Sequence, residues 1–316
     1  MKIFLIVLFA LLLLMFVFGC VFEQLLIRRP KKESSLEELG MLNELLAPTG
    51  PKLWKHNIPY FKPFDALPFE ELELTSFDGL KLKADLIRGD KRPDITVIFC
   101  HGYKSSPTFD FAAMYDFYRE QGYNLVYLHM RAHGKSQGKY IGFGALDCID
   151  IKDWIHKVDD LFPNGSIFLH GMSMGANAAM NTADILGDKD ELQGIIADCG
   201  FSCLGELFCN LIGDVFHLPK FPSIAIFEAV NRIFAGYNFS AYDSRNALSQ
   251  SAIPLLYICG DKDRYVPYTM ARDIYGSAIG DKDCLFVSGA GHAASFMCAK
   301  DKYKNKVKTF IERHER

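Results

Sequence analysis

Short apolar runs alternate with segments of helical periodicity from Glu70 to the end of the chain. Glu70 to Thr75 and Leu80 to Ile87 predict two strands around the turn Phe77-Asp78-Gly79, and the run Ile95 to Cys100 is typical of a central parallel strand. Such alternation predicts βαβ units, which form a parallel sheet with helices on both faces. The other predicted strands are Asn124 to His129, Ile167 to Leu169, Gly194 to Ala197, Leu255 to Cys259 and Cys284 to Val287, and the main predicted helices are Phe109 to Gln121, Ala145 to Leu161, Ala176 to Leu186 and Val266 to Tyr275.

One interval, residues 200–247, does not fit this alternation. It is long, rich in Phe, Leu and Ile, and contains Pro219 and Pro222. We interpret it as a helical cap insertion over the carboxyl-terminal edge of the sheet, where ligand sites of α/β proteins lie. Its apolar surface would then line an acyl or aromatic pocket. Helices that only cover the core fit the pattern almost as well.

The first 27 residues predict a transmembrane anchor. Ile3 to Phe22 is a run without any charge, long enough to cross a bilayer as one helix. No small-residue cleavage site follows it, which disfavours a secretory signal peptide. The segment Val17-Phe18-Gly19-Cys20 matches a lipoprotein cleavage box poorly, because Phe18 is unsuited to its position and the residues after Cys20 stay apolar.

Residues 28–68 predict a juxtamembrane helix and a connector, before a catalytic domain over residues 69–316. The leucine spacing in residues 33–46 is that of an amphipathic helix. Repeated Pro and Gly residues between Pro48 and Pro68 then interrupt regular structure.

Composition excludes several classes of function. The formal net charge is −3, with no basic patch that would indicate a nucleic-acid partner. The nine cysteines are scattered singly, which predicts free, mostly buried thiols and neither a disulfide framework nor a zinc site. Histidines show no metal-ligand spacing, so we predict no metal.

The segment Gly171-Met-Ser-Met-Gly175 follows an apolar run and precedes a helix of small residues. A Gly-x-Ser-x-Gly motif in this context predicts a sharp strand-to-helix turn that presents Ser173 as a nucleophile. The glycines fit because a Cβ at either position would clash with the turn. The backbone N–H of Met174, at the positive end of the helix, is a candidate oxyanion donor.

Asp263 and His292 follow two later strands, so their loops emerge at the edge of the sheet that carries Ser173. A serine nucleophile needs a general base, and the base needs an orienting carboxylate. The chain order Ser, Asp, His predicts His292 as the base and Asp263 as the orienting acid, with Asp261 as the alternative acid. The second oxyanion donor is expected in the loop after the third strand, where we assign the Tyr103 backbone N–H. His101 is expected to bond locally and shape that loop.

From about Glu70 onward the chain resembles the α/β-hydrolase superfamily, in particular bacterial membrane-associated hydrolases near the prolyl-oligopeptidase-like group. The resemblance implies an α/β-hydrolase fold with a mostly parallel eight-stranded sheet, a Ser nucleophile, a His base, an Asp orienting group and no cofactor. His129 departs from the pattern, since the family commonly has an aspartate there, at a position that is usually structural. The matching motifs are Thr75-Ser-Phe-Asp-Gly-Leu80, His101-Gly102, Arg131-Ala-His-Gly-Lys-Ser136, Gly171-Met-Ser-Met-Gly175, Gly260-Asp-Lys-Asp263 and Gly289-Ala-Gly-His292.

The sequence leaves open on which side of the membrane the catalytic domain would lie. Basic residues after the apolar run favour a cytoplasmic catalytic domain by the positive-inside rule, and free cysteines agree. Resemblance to secreted relatives points outward. The basic residues are Arg28, Arg29, Lys31 and Lys32.

Together these patterns predict a membrane-anchored serine hydrolase of the carboxylesterase type, acting on a small-molecule or lipid-like acyl substrate. A peptidase usually needs an extra domain or a carboxylate pair that holds the peptide amino terminus, and neither is clear in the sequence. A thioesterase stays open. A non-catalytic binding protein on a hydrolase scaffold is a further alternative, which the intact Ser, Asp and His set disfavours.

Overall fold

The computed structural model describes residues 2–30, 54–186, 191–215, 217 and 219–316. Its strands form one sheet in the order β1-β2-β4-β3-β5-β6-β7-β8. β1 pairs antiparallel with β2 and β2 with β4, and every other pair is parallel. The strands are β1 Glu70–Thr75, β2 Lys81–Ile87, β3 Ile95–Cys100, β4 Asn124–His129, β5 Ser166–Met172, β6 Gly194–Asp198, β7 Leu255–Gly260 and β8 Lys282–Val287.

The mostly parallel eight-stranded sheet is therefore confirmed. The largest difference is β5, which extends beyond the predicted apolar run to Met172. Its last three residues carry no β-branched signal, yet all are buried because β3 and β6 flank the strand. The central strands are apolar on both faces since helices cover the sheet on both sides.

Two apolar cores lie on opposite faces of the sheet. Trp154, Met180 and Ile274 belong to one core, and Phe64, Tyr118 and Phe310 belong to the other. The helices are α1 Lys2–Phe22, α2 Trp54–Asp65, α3 Pro107–Phe111, α4 Tyr115–Gln121, α5 Asp147–Leu161, α6 Met174–Leu186, α7 Leu204–Asn210, α8 Lys220–Phe234, α9 Ser244–Ser249, α10 Tyr268–Ser277, α11 Ser295–Cys298 and α12 Lys300–His314.

The transmembrane prediction is wrong. Over the described residues, no helix has both the length and the apolar character that crossing a bilayer requires. The single-pass anchor over residues 1–27, the membrane location and the membrane as a partner are all corrected by this finding.

The carboxyl-terminal part of α1 packs on the protein itself. A Cβ built on Gly19 would lie 2.5 Å from Cγ2 of Val230 on α8, and the Phe22 ring lies 5.7 Å from the Phe227 ring. The π-helical turn Glu23–Ile27 follows, and Ile27 is fully buried. Part of the apolar run therefore packs against α8 of the same chain.

The expected connector includes a helix. α2 contains Pro59 and Pro63, both exposed, whereas Phe61 and Phe64 on its other side are buried. Proline removes a helix hydrogen bond, and burial of the two rings offsets that cost here. The predicted amphipathic helix over residues 33–46 lies outside the described residues. The domain boundaries drawn from the sequence stay predictions.

The interval between β6 and β7 is largely helical, comprising α7, a π-helical turn over Leu211–Val215, α8 and α9. Phe208, Phe227 and Phe239 form an aromatic cluster with ring centroids 4.8–5.0 Å apart. The Tyr237 hydroxyl donates to the Ile141 carbonyl at 2.7 Å, which ties this segment to the loop after β4. The role of this segment as a cap stays a prediction.

Candidate active site

Ser173 lies between the end of β5 and the start of α6, with φ of 53°. Non-glycine residues rarely adopt this left-handed conformation, so the turn is strained. The Ser173 N–H donates to the Asp198 carbonyl at 2.8 Å, and the Ser173 carbonyl accepts from Asn177 N–H at 3.0 Å. A Cβ on Gly171 would lie 2.5 Å from Ala176, and one on Gly175 would overlap the Cys100 carbonyl. The two glycines therefore permit the close approach that the turn requires.

The structure brings Ser173, His292 and Asp263 into one hydrogen-bonded chain. His292 Nε2 lies 2.8 Å from Ser173 Oγ, and His292 Nδ1 lies 2.7 Å from Asp263 Oδ2. Ser173 is 6% exposed and Asp263 is 8% exposed. With Nδ1–H donating to the carboxylate, Nε2 is free to accept the serine proton.

The loop after β7 orients Asp263 and not its neighbour. Asp263 Oδ1 accepts from the N–H groups of Tyr265 and Val266 at 2.8 and 2.9 Å, which leaves Oδ2 for the imidazole. Asp261 is exposed and accepts from Gly289 N–H at 2.7 Å and from the Ser288 hydroxyl at 3.1 Å. Asp261 therefore links the two loops and does not contact the imidazole.

Nearby carboxylates affect the pKa of His292. Burial by itself lowers the pKa of His292, but the carboxylates of Asp263, Asp198 and Asp110 outweigh burial and leave the pKa raised. The negative groups around the ring thus stabilise the imidazolium that forms when the base takes a proton.

The predicted oxyanion donors lie beside the serine. Tyr103 follows Gly102, whose position for a Cβ lies 3.5 Å from Ser173 Cβ, and Met174 is the residue after the serine. Outside helices and strands, the backbone hydrogen bonds of the described residues include none donated by the Tyr103 or Met174 N–H groups. Both N–H groups can therefore donate to a new acceptor such as an oxyanion.

The chain is similar to a known protein family and to solved structures. The model of a family described as Hydrolase_4, serine aminopeptidase S33, matches residues 91–202. An esterase of Pyrococcus furiosus, Pf2001, superposes with a TM-score of 0.64 at 25% identity, over 80% of this chain and 94% of that chain. The chain has the α/β-hydrolase fold. It is a hydrolase, and the resemblance drawn from its motifs is confirmed.

Two bacterial relatives of this α/β-hydrolase have similar length. The uncharacterized protein YqkD of Bacillus subtilis (strain 168) is 27% identical over 254 residues, which span 77% of this chain and 81% of that protein. The uncharacterized protein YfhR of Escherichia coli (strain K12) is 25% identical over 252 residues, which span 77% of this chain and 80% of that protein.

The other histidines of the α/β-hydrolase motifs bond away from the serine. His101 Nε2 accepts from Met130 N–H at 3.1 Å, so its Nδ1–H donates to the Gly102 carbonyl at 2.8 Å. The expected local role of His101 is therefore confirmed. His129, which replaces the common aspartate, lies 3.0 Å through Nε2 from Asp85 Oδ2.

Asp198 was not predicted from the sequence. It ends β6, and its Oδ2 accepts from the Tyr303 hydroxyl at 3.0 Å. Tyr303 also contacts His170 Nε2 at 2.9 Å, and His170 Nδ1 contacts the Tyr118 hydroxyl at 2.7 Å. Burial raises the pKa of Asp198 to about 7. These buried hydrogen bonds support the strands beneath the serine turn. The sequence signal that could have indicated Asp198 is an acidic residue at the end of an apolar strand.

Cys199 lies next to His292. Its Sγ is 3.9 Å from His292 Nε2, and burial holds the pKa of the thiol well above its usual value. Donor atoms of Cys199, Asp263 and His292 lie within 4.8 Å of one another, which is the only such group of potential metal ligands in the described ranges. Since Asp263 and His292 already bond to each other, we assign no metal to them. The absence of a metal from the mechanism stays a prediction.

All nine cysteines are free thiols, and five of them are buried, as their scattered positions predicted. The buried ones are Cys100, Cys148, Cys199, Cys203 and Cys259.

Proposed function

We propose that the protein hydrolyses carboxylic esters through Ser173, His292 and Asp263. The observation that carries the proposal is the 2.8 Å contact between His292 Nε2 and Ser173 Oγ, on a turn that holds the serine at positive φ. His292 takes the serine proton while Oγ attacks the ester carbonyl, and Asp263 holds the imidazole through Nδ1–H. The N–H groups of Tyr103 and Met174 donate to the oxyanion of the tetrahedral intermediate.

Collapse of that intermediate breaks the bond between the carbonyl carbon and the leaving oxygen. The imidazolium of His292 donates its proton to the departing alcohol, and the acyl group stays on Ser173. Water then attacks the acyl-enzyme, with His292 again acting as the base. The bond between the carbonyl carbon and Ser173 Oγ breaks, His292 returns the proton to Oγ, and the acid is released. The raised pKa of His292 suits this cycle, because the ring must hold a proton while each tetrahedral intermediate exists.

The similar solved structure supports an ester as the substrate. The Pyrococcus furiosus neighbour is named an esterase and aligns over 94% of its length. A small-molecule or lipid-like acyl ester is therefore the substrate class that we propose.

Peptide hydrolysis is a second candidate, because the matching family model is described as a serine aminopeptidase. The same nucleophile, base and oxyanion donors serve amide and ester substrates. The amide would require a protonated leaving amine and a group that binds the peptide amino terminus.

The test compares wild type with Ser173→Ala on short p-nitrophenyl esters, acyl thioesters and aminoacyl p-nitroanilides. We expect ester hydrolysis to dominate and to fall by several orders of magnitude in the variant. Wild type should also be labelled covalently by a fluorophosphonate probe, and the variant should not. Equal labelling of both proteins would remove Ser173 from its role. Absence of both labelling and turnover in wild type would favour a binding protein, and dominant anilide cleavage would favour the peptidase.

A further inference from the structure

The loop after β3 is held by one carboxylate on α3. Asp110 Oδ2 accepts from the Gly102 N–H at 2.7 Å, and Asp110 Oδ1 accepts from the Ser105 hydroxyl at 2.7 Å. Hydrogen bonds to an ionised acceptor are among the stronger ones in proteins. Asp110 therefore fixes both ends of the segment that includes Tyr103.

The carbonyl of Gly102 is fixed as well. It accepts from Ser105 N–H at 3.2 Å and from His101 Nδ1–H at 2.8 Å. The Gly102 carbonyl and the Tyr103 N–H belong to one planar trans peptide, so they point in opposite directions. Anchoring the carbonyl on one side turns the Tyr103 N–H to the other side.

That loop lies directly against the nucleophile. The Cβ position of Gly102 is 3.5 Å from Ser173 Cβ, 3.5 Å from Asp110 Oδ2 and 3.4 Å from the Met172 carbonyl. The room for a side chain at Gly102 is thus bounded by the serine on one side and by the carboxylate on another. A shift of the loop by a fraction of an ångström would change the distance from the Tyr103 N–H to a developing oxyanion.

We propose that Asp110 is a positioning residue that orients the oxyanion-donating Tyr103 N–H and supplies negative charge toward His292. The inference rests on the proposed function, since it assigns Asp110 to the same reaction. Nothing in the sequence motifs indicated this residue, because Asp110 lies outside them. It acts through one backbone N–H donor and one hydroxyl donor.

The charge of Asp110 reaches the base. Burial raises the pKa of Asp110 to about 6, whereas its two hydrogen bonds and His292 act to lower it. In turn Asp110 is one of three carboxylates that raise the pKa of His292. The groups that face His292 are Asp263 after β7, Asp198 at the end of β6, Cys199 directly after it, Asp110 on α3, and the Tyr265 ring with its centroid at 5.0 Å.

A direct role in substrate binding is disfavoured by geometry. Both carboxylate oxygens of Asp110 already accept hydrogen bonds within the loop. If Asp110 instead held a substrate ammonium group, its removal would raise KM for cationic substrates alone.

The experiment uses Asp110→Ala and Asp110→Asn in the full chain, with Asp116→Ala on α4 as the matched control for an exposed acid. Asparagine retains an acceptor for Gly102 N–H but carries no charge, whereas alanine removes the acceptor. For Asp110→Ala we expect kcat to fall by about 10²-fold with KM changed less than threefold, since a misplaced oxyanion donor costs transition-state stabilisation. Affinity for a boronic acid transition-state analogue should fall in parallel.

For Asp110→Asn we expect a kcat near that of wild type at high pH. The acid limb of kcat/KM should move to lower pH, because loss of a nearby negative charge lowers the pKa of His292. This second readout does not depend on the alanine variant being stable. Asp116→Ala should change neither kcat nor the pH profile.

Wild-type kcat in Asp110→Ala, or an unmoved acid limb in Asp110→Asn, would overturn the inference. A rise in KM confined to aminoacyl substrates would overturn it in favour of substrate binding. If Ser173→Ala retained activity, the proposed function would fail first. An inactive Ser173→Ala together with a fully active Asp110→Ala would refute only the role of Asp110.

Discussion

Gly175 on α6 lies against the carbonyl oxygen of Cys100 at the end of β3, so closely that a Cβ on the glycine would overlap that oxygen. This contact brings the first turn of α6 under the loop that carries Gly102 and Tyr103. The nucleophile and the proposed oxyanion loop therefore share one packing constraint, which only glycine satisfies.

We expect Gly175→Ala to lower activity by at least about 10²-fold and stability by about 1–3 kcal/mol, since backbone must move to relieve the overlap. The matched control is Gly276→Ala on α10, where a Cβ meets nothing within 4 Å. That variant should be neutral or slightly stabilised, because alanine is the better helix former. Urea unfolding and ester kinetics measure both effects. Equal behaviour of the two variants would contradict the packing argument.

The orienting acid can be separated from its neighbour. Asp263→Asn should lower kcat by about 10³–10⁴-fold, because the amide no longer favours the required tautomer and imidazolium of His292. Asp261→Asn should reduce it by less than tenfold, since the Asp261 carboxylate bonds Gly289 and Ser288 and not the imidazole. Steady-state kinetics on the same ester decide between them. A larger loss in Asp261→Asn would reverse the assignment.

The pH dependence follows from the raised pKa of His292. The base must be neutral to accept the serine proton, so activity rises as pH increases through that pKa. Because carboxylates raise it, the acid limb of kcat/KM should have its midpoint above the ordinary histidine value of about 6.5. A midpoint below that value would show that burial outweighs the three carboxylates.

A buried ion pair outside the site should control stability. Arg131 is 3% exposed, and its guanidinium bonds Asp150 at 2.7 and 2.8 Å and Asp78 at 2.6 Å. Arg131→Met should cost about 3–5 kcal/mol, because it leaves a buried carboxylate without its partner. Arg119→Met removes an exposed pair with Asp90 and should cost at most about 1 kcal/mol. Urea midpoints would refute this difference if both variants unfolded alike.

Much of this architecture could be predicted because the pattern of apolar and polar residues in a segment reflects the burial of that same segment. The runs that became β3 and β4 are apolar and flanked by turns, and both strands have the predicted bounds. The serine turn was predictable because it needs glycines at fixed positions, and the later loops because parallel strands end at one edge. These signals lie within a few residues of one another in the chain.

What the local patterns could not decide involves partners distant in the chain. The apolar run of α1 does not show that α8, some two hundred residues later in the chain, contacts part of it. The prolines of α2 indicated a connector because nothing local shows that Phe61 and Phe64 have a core to enter. The bond from Asp110 to Gly102 likewise depends on how α3 folds back over its own loop.

The sequence by itself determined the order of strands and helices, the strained serine turn, and the set of residues able to form a Ser, His and Asp chain. Only the tertiary structure decided which aspartate meets His292, that the carboxyl-terminal part of α1 packs on α8, and how the loop after β3 is held. The physical reason is that periodicity and turn chemistry act between near neighbours, whereas each of these contacts forms only when distant segments pack together.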